Sequence, residues 1–215
     1  MAGKSLVAHD QTRMPPATAS APPQPPQDAR LLAALRTREP QAALEIWTRF
    51  SPVVRRLLVR FFGPEEDVRD LTQDVFLRLF SRIGQLRADL TLESFVVGIT
   101  FGVARNEARR RQVRRIVGLT RGGQSPDVSA PGLDEEGREA VARLYRVLEK
   151  ISPTARALFV ARSVEGMSME DIAAIHGWSV GTAKRRVAKA LARVDAALAR
   201  EPALAAYLTG SGERP

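Results

Sequence analysis

Val180, Ala183, Val187, Ala190, Leu191 and Val194 recur at intervals of three and four, which places them on one face of a helix. Opposite them fall Gly181, Thr182, Arg185, Arg186, Lys189 and Arg193, with Lys184 on the flank, so this helix has an apolar back and a basic front. A shorter helix precedes it. Ser168 is placed to cap that helix, Asp171 stands at the capping-box position three residues on, and Ile172, Ala173 and Ile175 form its apolar side. His176, Gly177 and Trp178 make the turn: Gly177 can end a helix in the left-handed conformation without a Cβ clash, and Trp178 is expected in the core. Ser179 is a second N-cap. Two short helices with a basic second member predict a helix-turn-helix that inserts in a DNA major groove. The plainer alternative is a helical hairpin with a solvated basic face.

The same periodicity organises the rest of the chain. Residues 1–27 contain PPATASAPPQPPQ, which offers almost nothing to bury and predicts a disordered leader. Helical spacing begins at Asp28 with Leu31, Leu32 and Leu35, and Pro40 suits the first turn of a helix carrying Leu44, Ile46, Trp47 and Phe50. Ser51 and Pro52 repeat the cap-plus-proline signal, which predicts a new helix over VVRRLLVRFF. From Glu65 to Ile83 one stripe is Val68, Leu71, Val75, Leu79 and Ile83. The other face carries Asp70, Gln73, Asp74, Leu77 and Phe80. Large apolar groups among acids there predict a protein partner with a basic rim, the alternative being a helix buried on both sides.

A loop is expected over LRADLTLES, then a helix from about Leu92 to Val113 with Gly98 and Gly102 inside it. Its end is basic: Arg105, Arg109, Arg110, Arg111, Arg114 and Arg115 are offset only by Glu107, a density that points to phosphate contact. Residues 116–136 shift to Gly, Pro and Ser and predict a flexible linker. Beyond it, a helix near Gly137 and another from Ser152 and Pro153 lead into the helix-turn-helix, giving a second bundle of about four short helices over 137–200. Residues 201–215 form a weakly specified tail. The fold class is all-α, with two small helical domains at 28–115 and 137–200.

Charge sharpens this picture. The formal net charge of +9 favours an anionic partner. With no cysteine, disulfides, thiolate metal sites and thiol catalysis are excluded. His9 and His176 stand apart, so no metal site or cofactor is expected. The N-terminus has no signal-peptide run and no apolar stretch long enough to span a bilayer, so a cytoplasmic protein is expected.

DLTQDVFLRLF (70–80) and SMEDIAAIHGWSVGTAKRRVAKAL (168–191), in this order and separated by a linker, resemble regions 2 and 4 of sigma-70 family initiation factors of the extracytoplasmic-function (ECF) group. The likeness covers roughly residues 28–200. It implies that Asp70, Gln73, Asp74, Leu77 and Phe80 dock on the clamp helices of the β′ subunit of core RNA polymerase, with the polymerase β flap as a further contact. It implies that the loop Leu86–Thr91, with Arg87 and Asp89, holds a flipped base of the −10 element. Arg105 and Asn106 would lie on the −10 reading surface, with Arg109 and Arg110 on phosphates. The −35 element would be read by Thr182, Lys184, Arg185, Ala188 and Lys189, where Ala188 offers a methyl group to thymine. Where the family carries a tryptophan before Asn106, FVVGITFGV stands here. Many relatives are held inactive by an anti-sigma factor.

These readings predict a sigma factor without a catalytic site. Two other classes compete. A stand-alone helix-turn-helix regulator would use residues 28–115 as an effector or dimerisation domain and bind duplex DNA unaided. An enzyme acting on nucleic acid would need clustered carboxylates, for which Asp67, Asp70 and Asp74 come nearest.

Overall fold

The computed structural model describes residues 25–37, 39–63, 67–86, 90–117 and 134–201, and among these there is no strand. The helices are α1 (Pro25–Arg36), α2 (Pro40–Phe62), α3 (Val68–Arg82), α4 (Leu92–Ile116), α5 (Glu135–Lys150), α6 (Pro153–Phe159), α7 (Met169–His176) and α8 (Val180–Leu198). A 3₁₀ turn at Ile83–Gln85 follows α3, and a π-helical turn at Val160–Val164 extends α6. The all-α class read from the sequence is the class observed. Residues 1–24 of the expected leader, residues 118–133 of the expected linker, and the tail beyond Glu201 lie outside the described residues.

One break expected from sequence is absent. Ser51 and Pro52 do not start a helix; α2 runs through both. Proline removes one backbone donor and crowds the carbonyl four residues earlier, here that of Thr48. Both Pro52 and Thr48 are exposed, so that carbonyl can turn towards water. The buried side decides the outcome: Ile46, Phe50, Val54, Leu57, Leu58 and Phe61 form an unbroken stripe across the proline, each no more than 2% exposed. Tertiary burial thus overrides the local punctuation.

Against that stripe pack Val68, Leu71, Val75 and Leu79 of α3 and Val96, Phe101 and Ala104 of α4, all buried. Ile83, expected in the same row, is half-buried. Helix α1 is tied down by Leu31 and by Asp28, whose nearly buried carboxylate pairs with Arg49 of α2 at 2.7 Å. The hydroxyls of Thr72 and Thr100 are buried but donate to the carbonyls of Val68 and Val96 at 2.7 and 2.8 Å, so neither is left unsatisfied.

In the C-terminal unit, side-chain caps set the helix starts. Asp134 accepts from the Gly137 amide at 2.8 Å at the start of α5, and Ser152 accepts from the Ala155 amide before Pro153 in α6. Ser168 accepts from the Asp171 amide at 2.9 Å, while its own hydroxyl donates to the Asp171 carboxylate at 2.6 Å. Gly177 ends α7 at φ 64°, ψ 34°, the left-handed conformation the turn requires, and Ser179 caps α8 through the Thr182 amide. Ile172, Ala173, Ala183, Val187, Ala190 and Val194 are the buried faces of the pair.

The two units also share one core. Phe61 and Phe62 of α2 lie beneath the guanidinium of the buried Arg156 on α6, whose carbon is 4.8 and 5.7 Å from the two ring centroids. At Gly98 of α4, an added Cβ would meet Cγ2 of Ile175 at 3.2 Å, so this glycine admits the turn end of α7. Gly102 is different, since a Cβ there would meet nothing within 4 Å. Gly102→Ala should therefore stabilise the protein by about 0.5–1 kcal/mol through helix propensity and lost unfolded-state entropy. Chemical denaturation would measure this, and a lower midpoint would contradict the open space assigned to that face.

Candidate nucleic-acid and protein interfaces

On α8, Lys184, Arg185, Ala188 and Lys189 are exposed and Thr182 half-buried, so all five expected reading positions lie on one accessible side of one helix. Arg185 donates to the Thr182 hydroxyl at 3.3 Å, which aims its guanidinium along the helix N-terminus. Arg186 points elsewhere. It sits over the Trp178 ring, 4.2 Å from the centroid, and Trp178 stacks on His176 at 4.2 Å with 15° between the planes. Trp178, expected in the core, lies half-buried at its margin and braces the turn that carries α8.

The arginines at the end of α4 divide into two sets. The half-buried Glu107 gathers Arg111 at 3.2 Å and Arg114 at 2.6 Å, with Arg110 at 4.0 Å. Arg111 also pairs with Asp67 at 3.1 Å and lies over Phe62, and Arg115 reaches Glu149 of α5 at 2.9 Å. Arg111, Arg114 and Arg115 thus each have a close carboxylate partner within the fold. Asn106, Arg109 and Arg110 remain exposed, and Arg105 is half-buried beside the helix-turn-helix. Burial and the neighbouring Arg109 lower the Arg105 pKa from its ordinary value. Arg87 and Asp89 lie outside the described residues.

The same surroundings act on His176. Burial first, then the positive charges of Arg105 and Arg186, push its imidazole down to about 4. An unfolded histidine takes up its proton near pH 6.5, whereas this one resists until about pH 4. Its contribution to stability is complete above pH 6.5 and declines as the pH falls towards 4, because the unfolded state binds the proton first. Chemical denaturation should show a midpoint that falls from pH 7 to 5.5, with a shallower fall in His176→Gln. Identical pH profiles for the two proteins would refute this account of the imidazole.

On α3, Asp70 and Gln73 are exposed and Asp74 half-buried. Leu77 is 68% exposed, so the alternative of a helix buried on both sides fails at that residue. Phe80 is half-buried, its ring centroid 6.1 Å from that of the buried Phe76. Sequence reading left two neighbours out of this surface. Trp47 of α2 packs on Phe76 at 4.4 Å yet keeps 39% of its surface exposed, and Leu44, one turn earlier, is 61% exposed. The pattern held a signal for them: Leu44 and Trp47 lie off the stripe defined by Ile46, Phe50 and Val54. The accessible apolar surface thus spans α2 and α3, with Asp70 and Asp74 on the α3 side.

Asp67, Asp70 and Asp74 do not converge; Asp67 is committed to Arg111. Among the described residues no group of three or more His, Asp or Glu could hold a metal ion, and no helix is long and apolar enough to cross a membrane.

Residues 46–114 match the family model described as Sigma-70 region 2, and residues 142–194 match Sigma-70, region 4, together more than half of the chain. The RNA polymerase sigma factor CnrH of Cupriavidus metallidurans is 29% identical over 183 residues, covering 80% of this chain and 96% of that protein. The ECF RNA polymerase sigma-E factor of Escherichia coli is 27% identical over 150 residues, covering 64% of this chain and 77% of that one. The solved structure of CnrH in complex with the cytosolic domain of CnrY is similar in fold, with a TM-score of 0.56 and 22% identity over 81% of this chain and 98% of the other.

Proposed function

Since the chain belongs to the sigma-70 family of RNA polymerase sigma factors, in its ECF group, we propose that it brings core RNA polymerase to selected promoters and helps open them. Sigma factors are initiation factors without catalytic activity of their own, which fits a surface organised for contact rather than chemistry. The observation that carries the proposal is the pairing, in one chain, of an accessible acidic and apolar face on α3 with an accessible basic face on α8.

The α3 face, Asp70, Gln73, Asp74, Leu77 and Phe80, meets the β′ clamp helices, and the C-terminal unit also contacts the β flap. Arg105 and Asn106 face the −10 strand, with Arg109 and Arg110 on its phosphates and Arg87 and Asp89 on the flipped base. On α8, Thr182, Lys184, Arg185, Ala188 and Lys189 read the −35 duplex in the major groove. An anti-sigma protein is a natural further partner, as CnrH was solved with the cytosolic domain of CnrY.

Transcription by core polymerase on a library of promoter-length templates tests this. Initiation should depend on the added protein. Arg185→Ala should weaken selection of the upstream element by about tenfold or more, the loss expected for one good base contact. Initiation unchanged by the protein, together with tight dimeric binding to palindromic duplex, would favour the stand-alone regulator instead.

A further inference from the structure

Three large apolar side chains at the end of α4 are left uncovered: Val113 is 58% exposed, Ile116 85% and Val117, the C-cap, 62%. One exposed aliphatic residue needs no explanation, but three at helical spacings of three and four form a patch. The patch lies on a side of the helix that is already occupied. At about 100° per residue, Val113 and Val117 fall within about 20° of the exposed Asn106, Arg110 within about 40°, and Arg109 and Ile116 within about 80°. Asn106 is therefore followed along one line by two arginines and then by the apolar triad. Val113 and Val117 stand about 10 and 16 Å beyond Asn106 along the axis, at 1.5 Å per residue.

The charges around the triad decide what it can meet. Acidic side chains near this end of α4 belong to the other flank: Glu107 is held by Arg111 and Arg114, Asp67 by Arg111, and Glu149 by Arg115. The exposed charged groups on the triad's own side, Arg109 and Arg110, are both cations. A fitting partner offers apolar groups between negative charges. Duplex DNA does so in its major groove, where phosphates border the C5-methyl groups of thymine. Branched aliphatic side chains suit contact with a methyl group, whereas unpaired bases stack on aromatic rings, which this patch lacks. Continuity with Asn106, Arg109 and Arg110 points to the same partner.

We propose that Val113, Ile116 and Val117 extend the promoter-reading face of α4 onto the duplex beside the melted −10 strand, where they take up thymine methyl groups in the major groove. The inference rests on the function proposed above. At about 3.4 Å per base pair, the distances from Asn106 correspond to roughly three to five base pairs. Arg109 and Arg110, lying between, hold the intervening phosphates. The arginines thus add affinity, and the triad adds a preference for thymine.

The test uses holoenzyme assembled from bacterial core RNA polymerase and the full-length protein, on forked DNA that joins duplex to a single-stranded −10 element from a selected promoter. Thymine is placed in turn, on either strand, at each of about six base pairs beside the −10 strand. Each is compared with uracil, which lacks only the methyl group. Affinity is expected to fall about threefold or more with uracil at one position at least. A protein carrying Val113→Thr, Ile116→Thr and Val117→Thr together keeps the charge and the branching at Cβ. Its thermal unfolding should be unchanged, because all three side chains are exposed. It should bind the thymine duplex about tenfold more weakly and no longer distinguish thymine from uracil. The dependence of affinity on salt should stay the same, since no phosphate contact is removed. An unmodified holoenzyme indifferent to uracil throughout the flank, or a variant as sensitive to it as the original, would overturn the inference. A variant whose only loss is affinity for core polymerase would overturn it too, by making the triad a protein contact. Failure of the unmodified holoenzyme to bind promoter DNA at all would remove the proposed function and this inference with it, whereas tight binding with methyl indifference leaves the proposed function standing.

Discussion

Leu77→Asp is expected to weaken binding to core RNA polymerase by at least about 100-fold while leaving the fold intact. Leu77 is 68% exposed, so in the free protein the change exchanges one solvated side chain for another, worth about 0.5 kcal/mol or less. In the complex it removes an apolar anchor, and anchors of this kind contribute about 2 kcal/mol or more. It also leaves a carboxylate where water is excluded, which adds a desolvation penalty. The single change is preferable to one at Phe80, because Phe80 packs on Phe76 and its loss would perturb the free protein as well. Affinity measured by fluorescence anisotropy, alongside thermal unfolding, checks both halves. An affinity within about threefold of the original would remove Leu77 from the interface.

Phe61→Ala is expected to destabilise the protein by about 3–5 kcal/mol, the cost of emptying a large aromatic site in a packed core. Phe61 is fully buried, meets Phe62 edge-on at a centroid distance of 4.8 Å, and supports Arg156 from the other unit. Its removal leaves a cavity and takes away the surface on which a buried cation rests. Such a loss is a large share of the roughly 5–15 kcal/mol that keeps a domain folded. In urea the midpoint should fall steeply; a change below about 1 kcal/mol would mean that the joint between α2 and α6 contributes little.

Much of this was readable in the sequence because amphipathic period and capping chemistry agree locally. Ser168, Gly177 and Ser179 set the helix-turn-helix by short-range hydrogen bonds and one left-handed residue, so neighbours three or four positions away suffice to find them. Pro52 misled because its local signal is outweighed by burial on the far side of α2, a tertiary effect. The arginines of α4 read as one basic surface, yet Glu107, Asp67 and Glu149 take up several of them. Two of those partners come from other elements, and periodicity within α4 does not contain them. Gly98 and Gly102 look alike in sequence; only the position of Ile175 separates them. The ion pairs of Glu165 with Arg60 and Arg56 of α2 were invisible for the same reason, since those partners lie 105 and 109 positions away.

The most direct measurement is size-exclusion chromatography of the purified protein mixed with bacterial core RNA polymerase freed of other sigma factors. Stoichiometric co-elution of the unmodified protein and separate elution of Leu77→Asp are expected. Separate elution of the unmodified protein, with the same polymerase able to take up another sigma factor, would contradict it.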